Sequence, residues 1–453
     1  MTEQPTPPVP AGSWKDRRLP TIASLHRKLA PDTATGGVPA TLRGWLAGRR
    51  SSGKLLFLNF RDGSGFAQVV VARAAVAAEA FESARHCPLE SAVEVAGAAF
   101  SEPRAPGGME VRASDFQVLH AADPYPITPK EHGASFLLDH RHLWLRSRKQ
   151  HALLRIRDEV LYSFREYLRE QEFVNADTPI FTPNACEGTT TLFETRYFDR
   201  RAYLSQSGQL YNEAVAMSVG RTYCLGPTFR AEKSKTRRHL IEFWMLEPEV
   251  AFAELPDIID LAEGLICHAV SRVLDNRAAE LEILERDPGP LRRIRTPFPR
   301  VTYDEAAAIL ARKGTGFTPG EDFGAQDETA LTEDVDRPLC VTHFPAAIKA
   351  FYMEPDPERP DRVLCLDIIA PEGYGEVVGG GQRIHDQELL RRRVREHGLP
   401  EDAFEWYLDL RRYGTTPHSG FGLGIERFVA WMSGLSHLRE AIPFPRTLYR
   451  LAP

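Results

Sequence analysis

Residues 226–252, GPTFRAEKSKTRRHLIEFWMLEPEVAF, leave the chain little choice of local structure. Two runs with apolar, strand-like content flank a centre too polar to pack, which carries Lys233, Lys235, Arg237 and Arg238. The pattern predicts two antiparallel strands joined by a basic loop. Strand side chains alternate between faces. Thr228, Arg230 and Glu232 then share a face of the first strand, and His239, Phe243, Met245, Glu247 and Glu249 a face of the second. Where the two faces coincide, an arginine, an aromatic ring, a histidine and two carboxylates about 7 Å apart share one surface, at roughly 3.4 Å rise per residue. That surface suits a ligand with phosphate, a flat base and an ammonium group. The same pattern equally describes an exposed hairpin with a solvated charged tip.

The rest of the chain bounds the answer. Its 453 residues are too many for one ordinary domain. A hydrophobic content of 43% with 26% charged residues describes a soluble globular protein. The net charge of −6 does not announce a nucleic-acid partner, but a local basic patch can steer a polyanion under a negative total. The six cysteines are scattered and no CxxC occurs, which argues against a zinc site or disulfide framework and for a reduced, cytoplasmic setting. No apolar run is long enough to span a membrane.

Residues 1–20 are proline-rich and read as a disordered tail. Residues 21–122 hold five short strands with an Ala-rich helix between the third and fourth, the pattern of a small Greek-key barrel of the OB type. Such barrels hold single-stranded nucleic acid on strand aromatics and basic residues, and Arg43, Phe57 and Gln68 are available. Phe60 is expected in the barrel core. Residues 123–146 read as a hinge. Residues 147–453 form the larger domain. It opens with an amphipathic helix over 147–172, carrying Leu153, Ile156, Val160, Phe164 and Leu168 at helical spacing. Residues 339–344, 350–353 and 363–369 read as strands, and residues 285–338 as a variable insertion. Glu376 lies on a short strand before Gly379, Gly380 and Gly381. In TTPHSGFGLGIERFVAWMSGL a strand runs into a helix, placing Arg427 in the first helical turn, where free N–H groups favour an anion. There is no Walker A pattern, and GFGLGI lacks the GxGxxG spacing. A nucleotide must therefore use an antiparallel sheet.

The combination of FRAE followed by RHLIEF resembles motif 2 of the class II aminoacyl-tRNA synthetases, and GFGLGIER resembles their motif 3. The helix before ADTPIFTP is similar to motif 1, and a barrel in front of this module marks the subclass with the aspartyl, asparaginyl and lysyl enzymes. The resemblance implies an α+β chain: an OB-fold anticodon-binding domain, then a catalytic domain with an antiparallel sheet flanked by helices. FWMLEPEVAF, SQSGQLYNE, IKAFYMEP and YLDLRRYGTTPHSGFGLG resemble the asparaginyl branch. Aspartyl relatives have SPQ and a downstream lysine where this chain has Gly208 and Asn212, and a neutral carboxamide needs no cation there. The implied reaction attaches L-asparagine to its tRNA through an adenylate, with ATP and Mg²⁺. The rival readings are an aspartyl enzyme, one that also charges the asparagine tRNA included; an asparagine synthetase paralogue; and an inactive RNA-binding paralogue.

The resemblance carries roles to individual positions. Arg230 and Arg427 are the catalytic pair. Arg230, Glu232, Arg238, His239, Leu240, Phe243, Glu376, Gly424, Glu426 and Arg427 form the ATP site, with Glu376 on Mg²⁺. Glu187, Gln206, Ser207, Gln209, Glu247, Glu249 and Arg383 form the asparagine site. Arg43, Phe57 and Gln68 meet the anticodon, and motif 1 implies a homodimer. Thr191 and Gly381 depart from residues common among these relatives, an acid and a serine.

Overall fold

The computed structural model describes residues 19–29, 37–183, 192–233 and 236–453. Glu187, Thr191, Lys235 and the tail up to residue 18 lie outside them. The chain divides into two units, Met1–Gly133 and Ala134–Pro453.

The first unit is a closed barrel of β1 (Val38–Ser52), β2 (Leu55–Arg61), β3 (Phe66–Ala72), β4 (Ala92–Ser101) and β5 (Met109–His120), in the order β1-β2-β3-β5-β4. Alternation builds it: Leu56, Leu58 and Phe60 point inward and are at most 1% exposed, while Phe57 and Asn59 between them stay half-buried. The register of β1 slips between Leu46 and Gly48, where β1 changes partner from β4 to β2. A bulge of this kind bends a strand and lets it close a barrel.

The second unit is built on an eight-stranded sheet, supplemented by a three-stranded one. Its strands are β6 (Val174–Asn175), β7 (Phe181–Thr182), β8 (Glu194–Tyr197), β9 (Arg200–Leu204), β10 (Arg221–Phe229), β11 (Glu242–Ala251), β12 (Arg300–Thr302), β13 (Leu339–Thr342), β14 (Cys365–Ala370), β15 (Gly375–Gln382) and β16 (His418–Gly424). The large sheet runs β12-β13-β14-β15-β16-β11-β10-β6 and is antiparallel except at its ends, β12/β13 and β10/β6. The small sheet runs β7-β9-β8. On β14 the period of two divides the burial: Leu366 and Ile368 join the core under the helices Arg148–Glu170, Leu255–Asn276 and Ile425–Ser433. Cys365 and Ile369 join the core under Tyr303–Lys313, Gln387–Glu396 and Glu401–Arg412. The sheet is thus covered on both faces, as the α+β reading requires. The Arg148–Glu170 helix starts where Ser147 accepts from Gln150 N–H, and its apolar stripe is at most 3% exposed.

Four sequence expectations change. The strands of the 226–252 hairpin stop at Phe229 and resume at Glu242, so Arg230, Glu232, Arg238, His239 and Leu240 are loop residues. Beyond Phe229 and Glu242, Arg230 N–H donates to Ile241 C=O at 2.9 Å and prolongs the ladder by one bond among the described residues. Residues 350–353 are not a strand: Phe351 and Tyr352 lie in a turn, and Met353 makes an isolated bridge to Arg383. Residues 134–146, read as hinge, contain the helices Ala134–Asp139 and Arg141–Trp144. There Arg141, 1% exposed, donates to the carbonyls of Pro443 (2.8 Å) and Ile442 (2.9 Å).

The fourth concerns residues 285–338, which are part of the sheet and core rather than an insertion beside them. β12 extends the sheet, and the Tyr303–Lys313 helix buries Tyr303, Ala306 and Leu310. Abundant prolines, glycines and acids hid this periodicity. A signal was nonetheless present: Thr302 and Glu305 form a capping box, with Thr302 N–H to Glu305 Oε2 at 2.7 Å.

Candidate active site

Two clefts open on the large sheet and share Arg230, Met245, Glu376 and Gly422. The smaller, about 140 Å³, is lined by Arg230, Glu232, Arg238, His239, Leu240, Phe243, Glu376, Gly424, Glu426 and Arg427 among others. The hairpin loop, β15 and the start of the Ile425–Ser433 helix bring these residues together. The Arg230 guanidinium lies 5.5 Å from the Phe243 ring centroid. Arg427 donates to the carbonyl of Glu376. His239 Nε2 is 3.8 Å from the Glu232 carboxylate, and burial lowers its pKa against the pull of Glu232. Arg238 is already engaged: it donates to Glu328 Oε2 at 3.0 Å and to the carbonyl of Gly373.

Glu426 lines the cleft, but its carboxylate is occupied within the protein: Oε2 accepts from Trp244 N–H at 2.9 Å, and Oε1 is 2.8 Å from Arg157. It fixes β11 at the residue beside Phe243.

The larger cleft, about 680 Å³, is lined by Ser207, Gln209, Glu247 and Arg383, with Asp367 and Lys349 beyond them. Glu247 is held from three sides. Ser207 Oγ donates to Oε1, Gly208 N–H to Oε2 at 2.9 Å, and the Cys224 thiol to Oε2 at 3.3 Å. Gly208 is the critical member. A Cβ there would lie 2.4 Å from Thr178 Oγ1 and 2.7 Å from Cys224 Sγ. Gly208→Ala should therefore cost about 1–3 kcal/mol of overpacking, read as a lower melting temperature, because the Cβ must push aside Thr178 or Cys224. An alanine variant with an unchanged melting temperature would refute this.

Three expected residues stand behind the cleft rather than in it. Glu249, 0% exposed, is paired with Arg383 at 2.6 Å. Period two puts it on the Phe243 face, but Arg383 covers it. Gln206 is buried and does not line either cleft. Asn212, also fully buried, donates to the Glu247 carbonyl at 2.7 Å and accepts from Thr222 Oγ1 at 3.2 Å. It supports the backbone of Glu247 and makes no wall of the cleft.

A divalent cation would find oxygen donors at the junction. Measured from the place a Cβ of Gly379 would occupy, Glu376 Oε1 is 2.4 Å and Asp367 Oδ1 3.5 Å away, so the two carboxylates converge where the glycine leaves room. Asp367 is pushed up to about 7 by burial, with Lys349 opposing at 2.6 Å and Glu376 adding repulsion. A cation relieves that repulsion. Among the described residues no cluster of three His, Cys, Asp or Glu is arranged to hold a metal. Two carboxylates completed by phosphate and water are a common Mg²⁺ shell.

On the barrel, Phe57 presents a half-buried ring with the Arg50 guanidinium 5.0 Å from its centroid. Gln68, paired opposite Asn59, donates to Glu110 at 2.9 Å, and the exposed Arg43 pairs with Glu94 at 2.6 Å.

Sequence reasoning missed Glu328, Asp367 and Lys349. Glu328 comes from the segment read as an insertion, yet it accepts from both Arg238 and Glu376 N–H (3.0 Å). No spacing in the sequence links residues 238, 328 and 376.

Residues 133–448 match the family described as tRNA synthetases class II (D, K and N), and residues 40–119 the OB-fold nucleic acid binding domain. The chain is 57% identical over 424 residues to the asparagine-tRNA ligase of Roseiflexus castenholzii, covering 92% of this chain and 96% of that one. It is 55% identical over 417 residues to the asparagine-tRNA ligase of Pelotomaculum thermopropionicum, covering 92% and 97%. The crystal structure of asparaginyl-tRNA synthetase from Pyrococcus horikoshii complexed with asparaginyl-adenylate superposes with a TM-score of 0.91 at 44% identity, covering 96% of this chain and 100% of that one.

Proposed function

This chain belongs to the class II tRNA synthetases, in the group containing the asparagine-tRNA ligases, and we propose that its joined clefts are one active site for ATP and L-asparagine. The chain attaches asparagine to tRNA. The observation that carries the site reading is the shared wall: an arginine- and aromatic-lined cleft meets an amide- and carboxylate-lined one at Arg230.

In the first step a carboxylate oxygen of asparagine bonds to the α-phosphorus of ATP, and the bond to pyrophosphate breaks. In the second, the terminal ribose hydroxyl of the tRNA attacks the acyl carbon and AMP leaves. Neither step needs a protein nucleophile, so the protein contributes position and charge. Arg230, common to both clefts, faces the point where carboxylate and α-phosphate meet. Phe243 and Arg427 hold the adenine, Glu232 accepts from its amino group, and His239 and Arg238 meet the outer phosphates, Arg238 shifting its bonds from Glu328. Leu240 and Gly424 complete this wall, which Glu426 braces. Glu376 and Asp367 would hold Mg²⁺, which neutralises phosphate charge when bound.

For the amino acid, Arg383 donates to the carboxamide oxygen and Glu247 accepts from its NH₂. Aspartate would set a second carboxylate against Glu247, whose donors fix it in place. A site built for a polar group rejects a ligand that leaves its members unpaired. Gln209 and Ser207 serve the α-ammonium end, with Gln206 behind them and Glu187 supplied from residues 184–191. Tests of ATP–pyrophosphate exchange should give faster exchange with asparagine than with aspartate; the reverse would sink this assignment.

The barrel takes the anticodon, with Phe57 as stacking platform and Gln68 and Arg43 beside it. Base–aromatic stacking is worth about 1–3 kcal/mol. Phe57→Ala should thus leave pyrophosphate exchange intact and raise the KM for tRNA about 5- to 100-fold. Equal loss of both activities would contradict the division of labour. The working form is a cytoplasmic homodimer. Its support is the motif 1 resemblance and β6, the edge strand of the large sheet, where Val174 is 47% exposed. No helix among the described residues is long and apolar enough to cross a membrane.

A further inference from the structure

Behind the asparagine cleft lies a charged cluster with no exposure to solvent. Glu213 sits on the Gln209–Val219 helix, one turn after Gln209, and is 0% exposed. Its carboxylate receives the Tyr407 hydroxyl at 2.8 and 2.9 Å, Arg411 Nη2 at 2.7 Å and Gln209 Nε2 at 3.1 Å. His418 Nε2 lies 3.0 Å from the same group. These partners come from the Glu401–Arg412 helix and β16, so the carboxylate is fixed from three directions. Arg411 also donates through Nε to the carbonyl of Ile384 at 2.8 Å, and the N–H of Arg383 donates to the His418 carbonyl at 2.9 Å. The cluster therefore braces Gln209 at one side of the cleft and the backbone of Arg383 at the other.

The chemistry of this contact decides which way Gln209 faces. An ionised carboxylate only accepts hydrogen bonds, whereas a glutamine amide has a donor end and an acceptor end. Burial would raise the Glu213 pKa, but the Arg411 guanidinium and then His418 more than offset it, and the pKa is lowered. Gln209 must then turn its NH₂ end to Glu213, where one N–H donates at 3.1 Å. Gln209 lines the cleft, so the end left for a ligand is the carbonyl oxygen.

We propose that Glu213 is a positioning residue: it fixes the sense of the Gln209 amide so that an acceptor, never a donor, meets the α-ammonium of asparagine. This rests on the asparagine-site reading above. Glu213 touches no substrate itself and acts through Gln209.

The test compares asparagine with succinamate, the same molecule without its α-ammonium, by calorimetric titration of the full chain. The wild-type protein should bind asparagine about 10-fold or more tightly than succinamate, the scale of one charge-assisted hydrogen bond. Gln209→Leu should remove most of that preference. Glu213→Gln should remove a similar share, since a neutral amide can donate as well as accept and no longer dictates the sense of Gln209. The double variant should lose no more than either single one, while succinamate affinity and the KM for ATP stay near wild type. Retention of the full preference in folded Glu213→Gln would overturn the proposal, as would an equal loss for both ligands. Should uncompensated Arg411 unfold that variant, Glu213→Gln with Arg411→Met removes both charges and is read the same way. In the wild-type protein, NMR should also find the Gln209 NH₂ protons exchanging slowly before and after asparagine binds; fast exchange would overturn the proposal without any variant. Failure of the wild type to bind asparagine at all would instead defeat the underlying site reading.

Discussion

Arg230→Ala should lower the rate of adenylate formation about 10²- to 10³-fold, the loss typical of removing one charge-stabilising donor from a transition state. Arg230 lines both clefts and lies over Phe243, 5.5 Å from the ring centroid. With the two clefts taken as one active site, as proposed above, it acts on the atoms that change bonding rather than on either substrate alone. The KM values for ATP and asparagine should move much less than kcat, and transfer of asparagine from preformed adenylate to tRNA should be nearly spared. Arg230→Lys should recover only part of the rate, because a point charge cannot reproduce the planar fork. Rapid-quench measurement of adenylate formation in a folded variant decides the matter. A rate within 10-fold of wild type, or a loss seen only in KM, would remove Arg230 from its catalytic role.

Arg383→Met should be the most damaging change to the amino-acid side of the site. Arg383 is 1% exposed and Glu249 0%, and their contact at 2.6 Å leaves each as the other's counter-charge. Breaking one side of a buried pair costs about 3–5 kcal/mol, because the remaining charge stays unsolvated. Exchange with asparagine should fall at least about 10- to 100-fold through the lost donor. The stability loss should depend on pH in a definite direction. Burial already pushes the Glu249 carboxyl up to about 7, with Arg383 holding it down. Without Arg383 it rises further. A carboxyl with a raised folded-state pKa binds its proton more tightly when folded. Its stabilisation is present below the unfolded value, near 4.5, and declines as pH climbs through the folded one. The gap in melting temperature between wild type and variant should therefore widen from pH 5 to pH 8. A gap independent of pH would mean that Glu249 is not the residue left exposed to the loss.

The two residues illustrate what a period of two can and cannot convey. Alternation along β11 placed Phe243, Met245, Glu247 and Glu249 on one face, and Phe243, Met245 and Glu247 do line the clefts. Periodicity is a property of the strand, so it is legible without knowing what packs against it. Depth is not. Glu249 shares the face yet lies beneath Arg383, which arrives from 134 positions away. The same limit hid Glu328, which reaches Arg238 and Glu376 across 90 and 48 positions. It also hid the cluster around Glu213, whose partners Tyr407, Arg411 and His418 lie about 200 residues downstream.

The loop of the 226–252 stretch marks the same boundary from the other side. Its charges said that a loop must part the two strands, since desolvating Lys233, Arg237 and Arg238 in a ladder would be costly, but the strands end earlier than alternation implied, at Phe229 and Glu242. Nor did the sequence say where each charge would go. Arg238 is tied to Glu328 and Gly373, and His239 lies by Glu232. By itself the sequence determined the barrel with its inward Phe60, the pair of strands in the 226–252 stretch, the amphipathic helix that opens the larger domain, and the motif residues that mark the family. These follow from local geometry and from residue types at fixed short spacings. The tertiary structure alone decided which carboxylates line the clefts and which are buried counter-charges, because that depends on long-range partners and on the solvent they exclude.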